Sequence, residues 1–183
     1  QALTSGIGTA ARRRALLDAF GRSGVVPLTL STRLYHLRGA MLTNPAGRRQ
    51  VADNIAAAWG RMTLTGATSF WETPRGGDDF ACAASLSHAW SALPVYYHQA
   101  WVLGVRPLTP GFRSFVINPY ADRFAHAEGR IPTPAGPISI RWERTADGLE
   151  LPASGPSACK PTLLSWPECP VRRATWNGRK LST

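Results

Sequence analysis

The stretch Gly66-Ala-Thr-Ser-Phe-Trp-Glu-Thr-Pro-Arg-Gly-Gly-Asp-Asp-Phe80 lies between two segments with helical patterning, yet its own composition is that of a loop. With its continuation to Trp90 it contains three of the eleven acidic residues, two tryptophans and a histidine. A long connection without secondary structure of its own is uncommon in a compact domain and is usually functional. We therefore predict that this stretch is an active-site loop.

Helices are predicted on both sides of the loop. Before it, apolar residues recur on one face of residues 9–20, 31–42 and 45–62, and Thr9 is the predicted N-cap of the first helix. After it, a fourth helix is predicted over residues 86–103, with Trp90 facing inward and Pro94 marking a kink or a restart.

Beyond residue 111 the apolar period changes from 3.6 to 2, which is typical of strands. The predicted strands are residues 112–118, 124–128, 137–143 and 148–151, followed by a hairpin with a type I′ turn at Asn177-Gly178. Helices first and strands afterwards predict an α+β protein in two domains, residues 1–108 and 109–183.

The composition bounds the class of protein. The formal charge is +10, but 19 of the 21 basic residues are arginines scattered along the chain without a nucleic-acid motif, so a solvated surface is favoured over nucleic-acid binding. No run of 18 apolar residues is present, and no membrane span is predicted. Because the chain opens at Gln1 without a signal pattern, we expect a piece of a longer protein, and its compartment stays open.

Cysteine and histidine spacing indicates neither a metal site nor a cofactor. The four histidines are isolated, and the three cysteines lack zinc-ligand spacing. Cys159 and Cys169 could form a disulfide if the protein is exported, which would leave Cys82 free, or they could remain thiols.

Among the carboxylates, Glu72 differs from the rest because it follows Phe70-Trp71 inside the Gly-rich loop. A carboxylate flanked by aromatic residues suits acid or base chemistry, and nearby Trp and His side chains suit the binding of a sugar ring. The alternative is structural: Glu72 caps the following segment or pairs with Arg75. Residue types alone do not decide between the two.

The chain resembles the closing part of bacterial α-L-rhamnosidases over roughly residues 25–150. The matching motifs occur in the same order: Gly66-Ala-Thr-Ser-Phe-Trp-Glu72, Ser85-Leu-Ser-His-Ala-Trp-Ser91, Val102-Leu-Gly-Val-Arg-Pro107, Ile131-Pro-Thr-Pro-Ala-Gly-Pro137 and Trp142-Glu-Arg144. This resemblance implies that the helices are the last hairpins of an (α/α)₆ toroid of the six-hairpin glycosidases. It implies that an antiparallel β-sandwich domain follows them.

The resemblance also implies an inverting glycoside hydrolase, with a rhamnose-containing carbohydrate as substrate and no cofactor. Glu72 would be the general base, and Trp71 and His88 would contact the sugar. Trp90 is a further candidate contact, and Asp78 and Asp79 are second-choice acidic residues. The general acid belongs to an earlier hairpin, so the missing N-terminal part of the same enzyme is an expected partner, and the isolated chain is predicted to be inactive.

Three departures from the family pattern keep other functions open. The segment after Glu72 is short, Pro74-Arg-Gly-Gly77 replaces an expected tryptophan, and residues 152–183 match poorly. The alternatives are a six-hairpin glycosidase with another sugar specificity, and a non-catalytic carbohydrate-binding or structural remnant.

Overall fold

A computed structural model of the chain describes residues 8–19, 28–43, 45–121 and 124–182. Helices come first and strands follow, which confirms the predicted α+β class. The chain divides into two compact units, Gln1–Pro94 and Val95–Thr183. The predicted division into domains after residue 108 stays a prediction. Within the described ranges, no helix is long and apolar enough to cross a membrane.

Three helices in the described part of the first unit agree with the predicted ranges: α1 (Ala10–Ala19), α2 (Arg33–Thr43) and α3 (Pro45–Leu64). Residue 20, the predicted end of the first helix, lies outside the described residues. The amide of Arg12 donates a hydrogen bond to Thr9 Oγ1 at 3.3 Å, so Thr9 is the N-cap of α1 as predicted.

Helix α3 is the scaffold of the first unit. Its predicted apolar face is buried, and it consists of Val51, Ile55, Ala58, Trp59 and Met62. Helix α2 packs against it, and the buried Arg48 donates from Nε to the carbonyl of Met41 at 3.0 Å. The indole of Trp59 donates to the carbonyl of Ser91 at 2.8 Å, which fixes the far end of the loop to α3.

The predicted fourth helix over residues 86–103 is confirmed from Leu93 to Val102, with the predicted restart next to Pro94, and is wrong for residues 86–92. The structure has a 3₁₀ turn at Ala89–Ser91, a five-residue helix α4 (Leu93–Tyr97) and a π-helical turn at His98–Val102. Pro94 has no N–H to donate and its ring excludes a preceding helical turn, so helix α4 can begin only next to it. The inward prediction for Trp90 is also wrong, because this side chain is 78% exposed.

The strands in the described part of the second unit form two sheets. Their eight strands are β1 (Val105–Pro107), β2 (Ser114–Ile117), β3 (His126–Ile131), β4 (Ile138–Thr145), β5 (Gly148–Ser154), β6 (Lys160–Leu163), β7 (Val171–Trp176) and β8 (Arg179–Lys180). The sheet orders are β1-β2-β6 and β3-β4-β5-β7-β8. Neighbouring strands are antiparallel except in two pairs, β2 with β6 and β5 with β7, which are parallel.

The core of this unit follows the period of two. In β4, Ile138, Ile140 and Trp142 are buried, and Ser139 and Arg141 alternate with them toward the outside. The two sheets meet where the ring of Phe115 on β2 lies 5.5 Å from that of Trp176 on β7. The indole of Trp142 donates to the carbonyl of Val102 at 2.8 Å, so its one polar atom is satisfied.

The predicted hairpin turn is confirmed, since Asn177 and Gly178 have φ values of 49° and 79°. Strands β1 and β6 were not predicted, because each is short and contains a proline. Cys159 and Cys169 are buried free thiols, and Cys82 is an exposed free thiol, so the disulfide alternative is not realised.

Candidate active-site loop

The loop of residues 65–92 is closed at its base by a clasp, formed by residues 69–72 on one side and residues 85–88 on the other. The amide of Glu72 donates to the carbonyl of Ser85 at 2.9 Å, and the amide of His88 donates to the carbonyl of Phe70 at 2.7 Å. The hydroxyl groups of Ser69 and Ser87 add a hydrogen bond at 3.0 Å. Because the clasp uses backbone groups, it holds Glu72 and His88 on neighbouring segments.

One oxygen of the Glu72 carboxylate is anchored. The amide of Ser85 donates to Oε2 at 3.0 Å, and in the part of the chain that the structure describes no hydrogen bond reaches Oε1. Glu72 is half-buried, so its carboxylate is oriented while one oxygen stays available. Arg75 does not take up the Glu72 carboxylate; its Nε lies 3.2 Å from Asp79 Oδ1 instead.

Trp71 is positioned by a glycine. Gly76 is buried with φ of 61°, and a Cβ atom built there would lie 2.6 Å from Cε3 of the Trp71 indole. The ring therefore packs directly on the backbone of Gly76, where the Cβ atom of any other residue would clash with it. Trp71 itself is half-buried, so part of the indole can still contact a ligand.

His88 and Trp90 lie close together on the other side of the clasp. Their ring centroids are 6.1 Å apart with an interplanar angle of 79°, an edge-on arrangement. His88 is half-buried, whereas Trp90 presents most of its indole to the surroundings. The two rings together form an amphipathic surface of the kind that stacks on the apolar face of a sugar ring.

The two second-choice acids are occupied by arginines. Asp78 Oδ2 lies 3.6 Å from a terminal nitrogen of Arg61, and Asp79 is paired with Arg75. In the part of the chain that the structure describes, no backbone amide donates a hydrogen bond to either carboxylate. The geometry therefore distinguishes Glu72 from both of them.

The far end of the loop has an unusual backbone. Three consecutive non-glycine residues, Phe80, Ala81 and Cys82, have positive φ values of 54°, 54° and 67°. The amides of Ala83 and Ala84 both donate to the carbonyl of Asp79, which holds this left-handed turn in place. Such strain persists only where surrounding contacts determine it, and it is concentrated at functional sites.

Sequence reasoning missed Ser85 and Gly76 as members of the site. The Gly76-Gly77 pair indicates an unusual backbone conformation, but it does not indicate that the Trp71 ring packs on Gly76. Ser85 stands in a motif of the resemblance, but its contact with Glu72 had no local signal, since its amide reaches Glu72 across thirteen positions of the chain. Among the described residues, no group of three His, Cys, Asp or Glu side chains is placed to hold a metal ion.

Comparison with known proteins gives a consistent result. Residues 104–164 match the model of the family described as bacterial alpha-L-rhamnosidase C-terminal domain. An alpha-L-rhamnosidase of Alteromonas sp. (strain LOR) is 29% identical over 147 residues, which cover 66% of this chain and 15% of that protein.

The fold is similar to solved structures of two rhamnosidases. The GH78 family rhamnosidase of Bacillus sp. GL1 matches with a TM-score of 0.80 at 23% identity, over 96% of this chain and 19% of that one. The alpha-L-rhamnosidase of Dictyoglumus thermophilum matches with a TM-score of 0.68 at 19% identity, over 88% of this chain and 19% of that one. The chain thus spans less than a fifth of the length of these relatives.

Proposed function

We infer that this chain is the C-terminal portion of a glycoside hydrolase that removes α-L-rhamnose from glycosides or polysaccharides, and the match of residues 104–164 to the bacterial α-L-rhamnosidase C-terminal domain supports this. On this proposal residues 1–108 complete an (α/α)₆ catalytic toroid and residues 109–183 form the domain that follows it. The rhamnosidases to which the chain is similar support the choice of substrate.

The observation that carries the proposal is the arrangement of Glu72. A general base must be held in one orientation and must keep an oxygen free to accept a proton. The Ser85 amide meets the first condition by donating to Oε2, and Oε1 meets the second because none of the described residues donates a hydrogen bond to it. Asp78 and Asp79 differ from Glu72, because each lies in an ion pair with an arginine and no backbone amide in the described part of the chain orients its carboxylate.

The proposed reaction inverts the configuration at the anomeric carbon. Glu72 takes a proton from a water molecule, whose oxygen attacks the anomeric carbon from the face opposite the leaving group. The bond to the leaving oxygen breaks at the same time, and a general acid protonates that oxygen. Trp71 would pack against the sugar ring, while His88 and Trp90 would contact it from the other side of the clasp.

The general acid is proposed to come from residues outside this chain. An inverting mechanism needs two carboxyl groups with room for water between them, and the resemblance to the rhamnosidases implies that the second one belongs to an earlier hairpin. We therefore expect the 183-residue chain alone to show no hydrolysis of a rhamnoside.

The test is the substitution Glu72→Gln in the complete polypeptide that contains this chain. The amide keeps the shape and the Ser85 hydrogen bond but cannot accept a proton, so kcat on 4-nitrophenyl α-L-rhamnopyranoside should fall by about 10²–10⁴-fold with KM little changed. Asp78→Asn is the matched control, since it removes the same charge from the same loop and should leave kcat within about twofold. A Glu72→Gln enzyme that keeps more than about a tenth of its turnover would refute the role of Glu72.

A further inference from the structure

A cavity of about 480 Å³ opens in the second unit where strand β6 begins and the β7–β8 hairpin turns. Its walls include Ser157, Lys160, Trp176, Asn177 and Arg179. None of these residues belongs to the loop of residues 65–92. A volume of this size lies within the range of small-ligand sites and accommodates one or two sugar rings.

The cavity has a rigid frame. The side-chain amide of Asn177 accepts a hydrogen bond from the amide of Gly155 and donates one to its carbonyl, both at 3.0 Å. This pair of bonds fixes the hairpin turn to the end of β5. On the opposite wall, the amide of Lys160 donates to the carbonyl of Arg113 at 2.9 Å. A site held by backbone contacts is largely preformed and loses little entropy when a ligand binds.

One wall of the cavity is aromatic. The indole of Trp176 is half-buried, with Phe115 packed on it at 5.5 Å and Gly155 lying so close that a Cβ atom there would be 2.6 Å from the ring. Its remaining surface lines the cavity. An immobile indole edged by polar groups is suited to a pyranose, which has an apolar C–H face and a hydroxyl rim.

The rim of the cavity is positively charged. Lys160 and Arg179 are exposed, and within the described ranges neither takes part in an ion pair. None of the described residues that line the cavity is acidic. Two uncompensated cations beside a sugar-sized cavity favour a ligand with a negative charge, because charge-assisted hydrogen bonds are the strongest ones available there.

We propose that this cavity binds an acidic sugar residue, with its ring against Trp176 and its carboxylate between Lys160 and Arg179. The site would hold a uronic acid unit of a polysaccharide and would perform no chemistry. It does not rest on the proposed hydrolysis, because it shares no residue with the Glu72 loop and its ligand binding is measured directly.

The experiment titrates the isotopically labelled 183-residue chain with D-glucuronic acid, and with D-glucose as the neutral match, while amide and indole NMR signals are recorded. We expect glucuronic acid to shift the indole signal of Trp176 and to bind at least about tenfold more tightly than glucose. Arg179→Gln and Lys160→Gln should each raise the Kd for glucuronic acid by about five- to tenfold.

Lys180→Gln is the matched control, because it removes the same charge from the same hairpin at a residue that does not line the cavity, and it should change the Kd by less than about twofold. Several results would overturn the proposal: equal affinity for glucuronic acid and glucose, no binding of either, or an unchanged Kd in both cavity variants. Tighter binding of adenosine monophosphate than of glucuronic acid would show a nucleotide site instead and would equally overturn it.

Discussion

The β-strand region of residues 105–180 and the loop of residues 65–92 use their aromatic side chains in opposite ways. Trp142 and Phe115 in the β-strand region are 0% exposed, whereas Trp90 and Phe80 in the loop are 78% and 64% exposed. The β-strand region is held by a packed core and continuous strand pairing, while the loop is held by a few hydrogen bonds across its base.

This difference separates stability from chemistry. Burying apolar surface stabilises the β-strand region, and the exposed aromatic side chains of the loop gain nothing until a ligand covers them. Binding and catalytic residues are often found on loops that a rigid scaffold positions. The clasp supplies that positioning here, because it orients Glu72, Trp71 and His88 without burying them completely.

The strongest test of this comparison removes one tryptophan from each region. Trp142→Ala leaves a cavity in a fully buried site and an unpaired Val102 carbonyl, so it should lower the free energy of unfolding by about 3–5 kcal/mol. Trp90→Ala should change it by less than about 0.5 kcal/mol, because the side chain is exposed. Urea denaturation of both variants measures the two changes. Similar decreases in the free energy of unfolding would contradict the difference between the β-strand region and the loop.

A smaller effect is expected inside the loop. Gly76→Ala puts a Cβ atom 2.6 Å from the Trp71 indole at a backbone position with φ of 61°. The ring must move, and the strain should cost about 1–3 kcal/mol of local stability. We expect faster amide hydrogen exchange at Glu72 and His88 but unchanged exchange in β4. Gly66→Ala is the control, since its φ is also positive but nothing lies within 4 Å of the added atom; equal effects in the two variants would exclude packing on Trp71 as the cause.

The smallest expected effect is the pH dependence that His98 gives to the free energy of unfolding. The ring of His98 lies 5.5 Å from that of Tyr97 and 6.3 Å from that of Phe124, and burial lowers the pKa of His98 below 6.5. Between the lowered pKa of His98 in the folded chain and its pKa of about 6.5 in the unfolded chain, the unfolded chain binds more protons. The contribution of His98 to stability is therefore complete above pH 6.5 and is lost as the pH falls through 6.5 toward the folded-state pKa.

His98→Gln should accordingly flatten the dependence of the free energy of unfolding on pH between about 7 and about 5. Urea denaturation at closely spaced pH values measures this slope. His126→Gln is the control, because it makes the same substitution at an exposed position of β3. An unchanged slope in His98→Gln would contradict the assignment.

The sequence predicted those parts of the fold that a local pattern determines. Alternating residues such as Ile138, Ile140 and Trp142 have no other way to be buried on one side of a sheet, and the Asn177-Gly178 turn has few conformations to choose from. Helix α3 was equally clear, because its apolar face repeats over several turns.

The parts that could not be predicted depend on contacts between distant residues. The segment before Pro94 has a helical pattern, but its backbone amides are used elsewhere. The amide of Ser85 donates to the Glu72 carboxylate and that of His88 to the carbonyl of Phe70, so neither donates within a helix. For the same reason Glu72 could be singled out by its neighbours Trp71 and Phe70, whereas its anchor Ser85 could not. Neighbouring residues in the sequence identified the Glu72 carboxylate, and only the fold showed that the Ser85 amide orients it.

The catalytic role of Glu72 is tested most directly by chemical rescue. In the complete polypeptide, Glu72→Ala removes the base and leaves space for a small anion, and azide can then replace water as the nucleophile. With 4-nitrophenyl α-L-rhamnopyranoside as substrate, whose leaving group needs little protonation, we predict that azide raises turnover by at least about tenfold and yields the β-L-rhamnosyl azide. A natively folded Glu72→Ala enzyme that azide does not rescue, or an azide product that retains the α configuration, would contradict the role of Glu72 as the base.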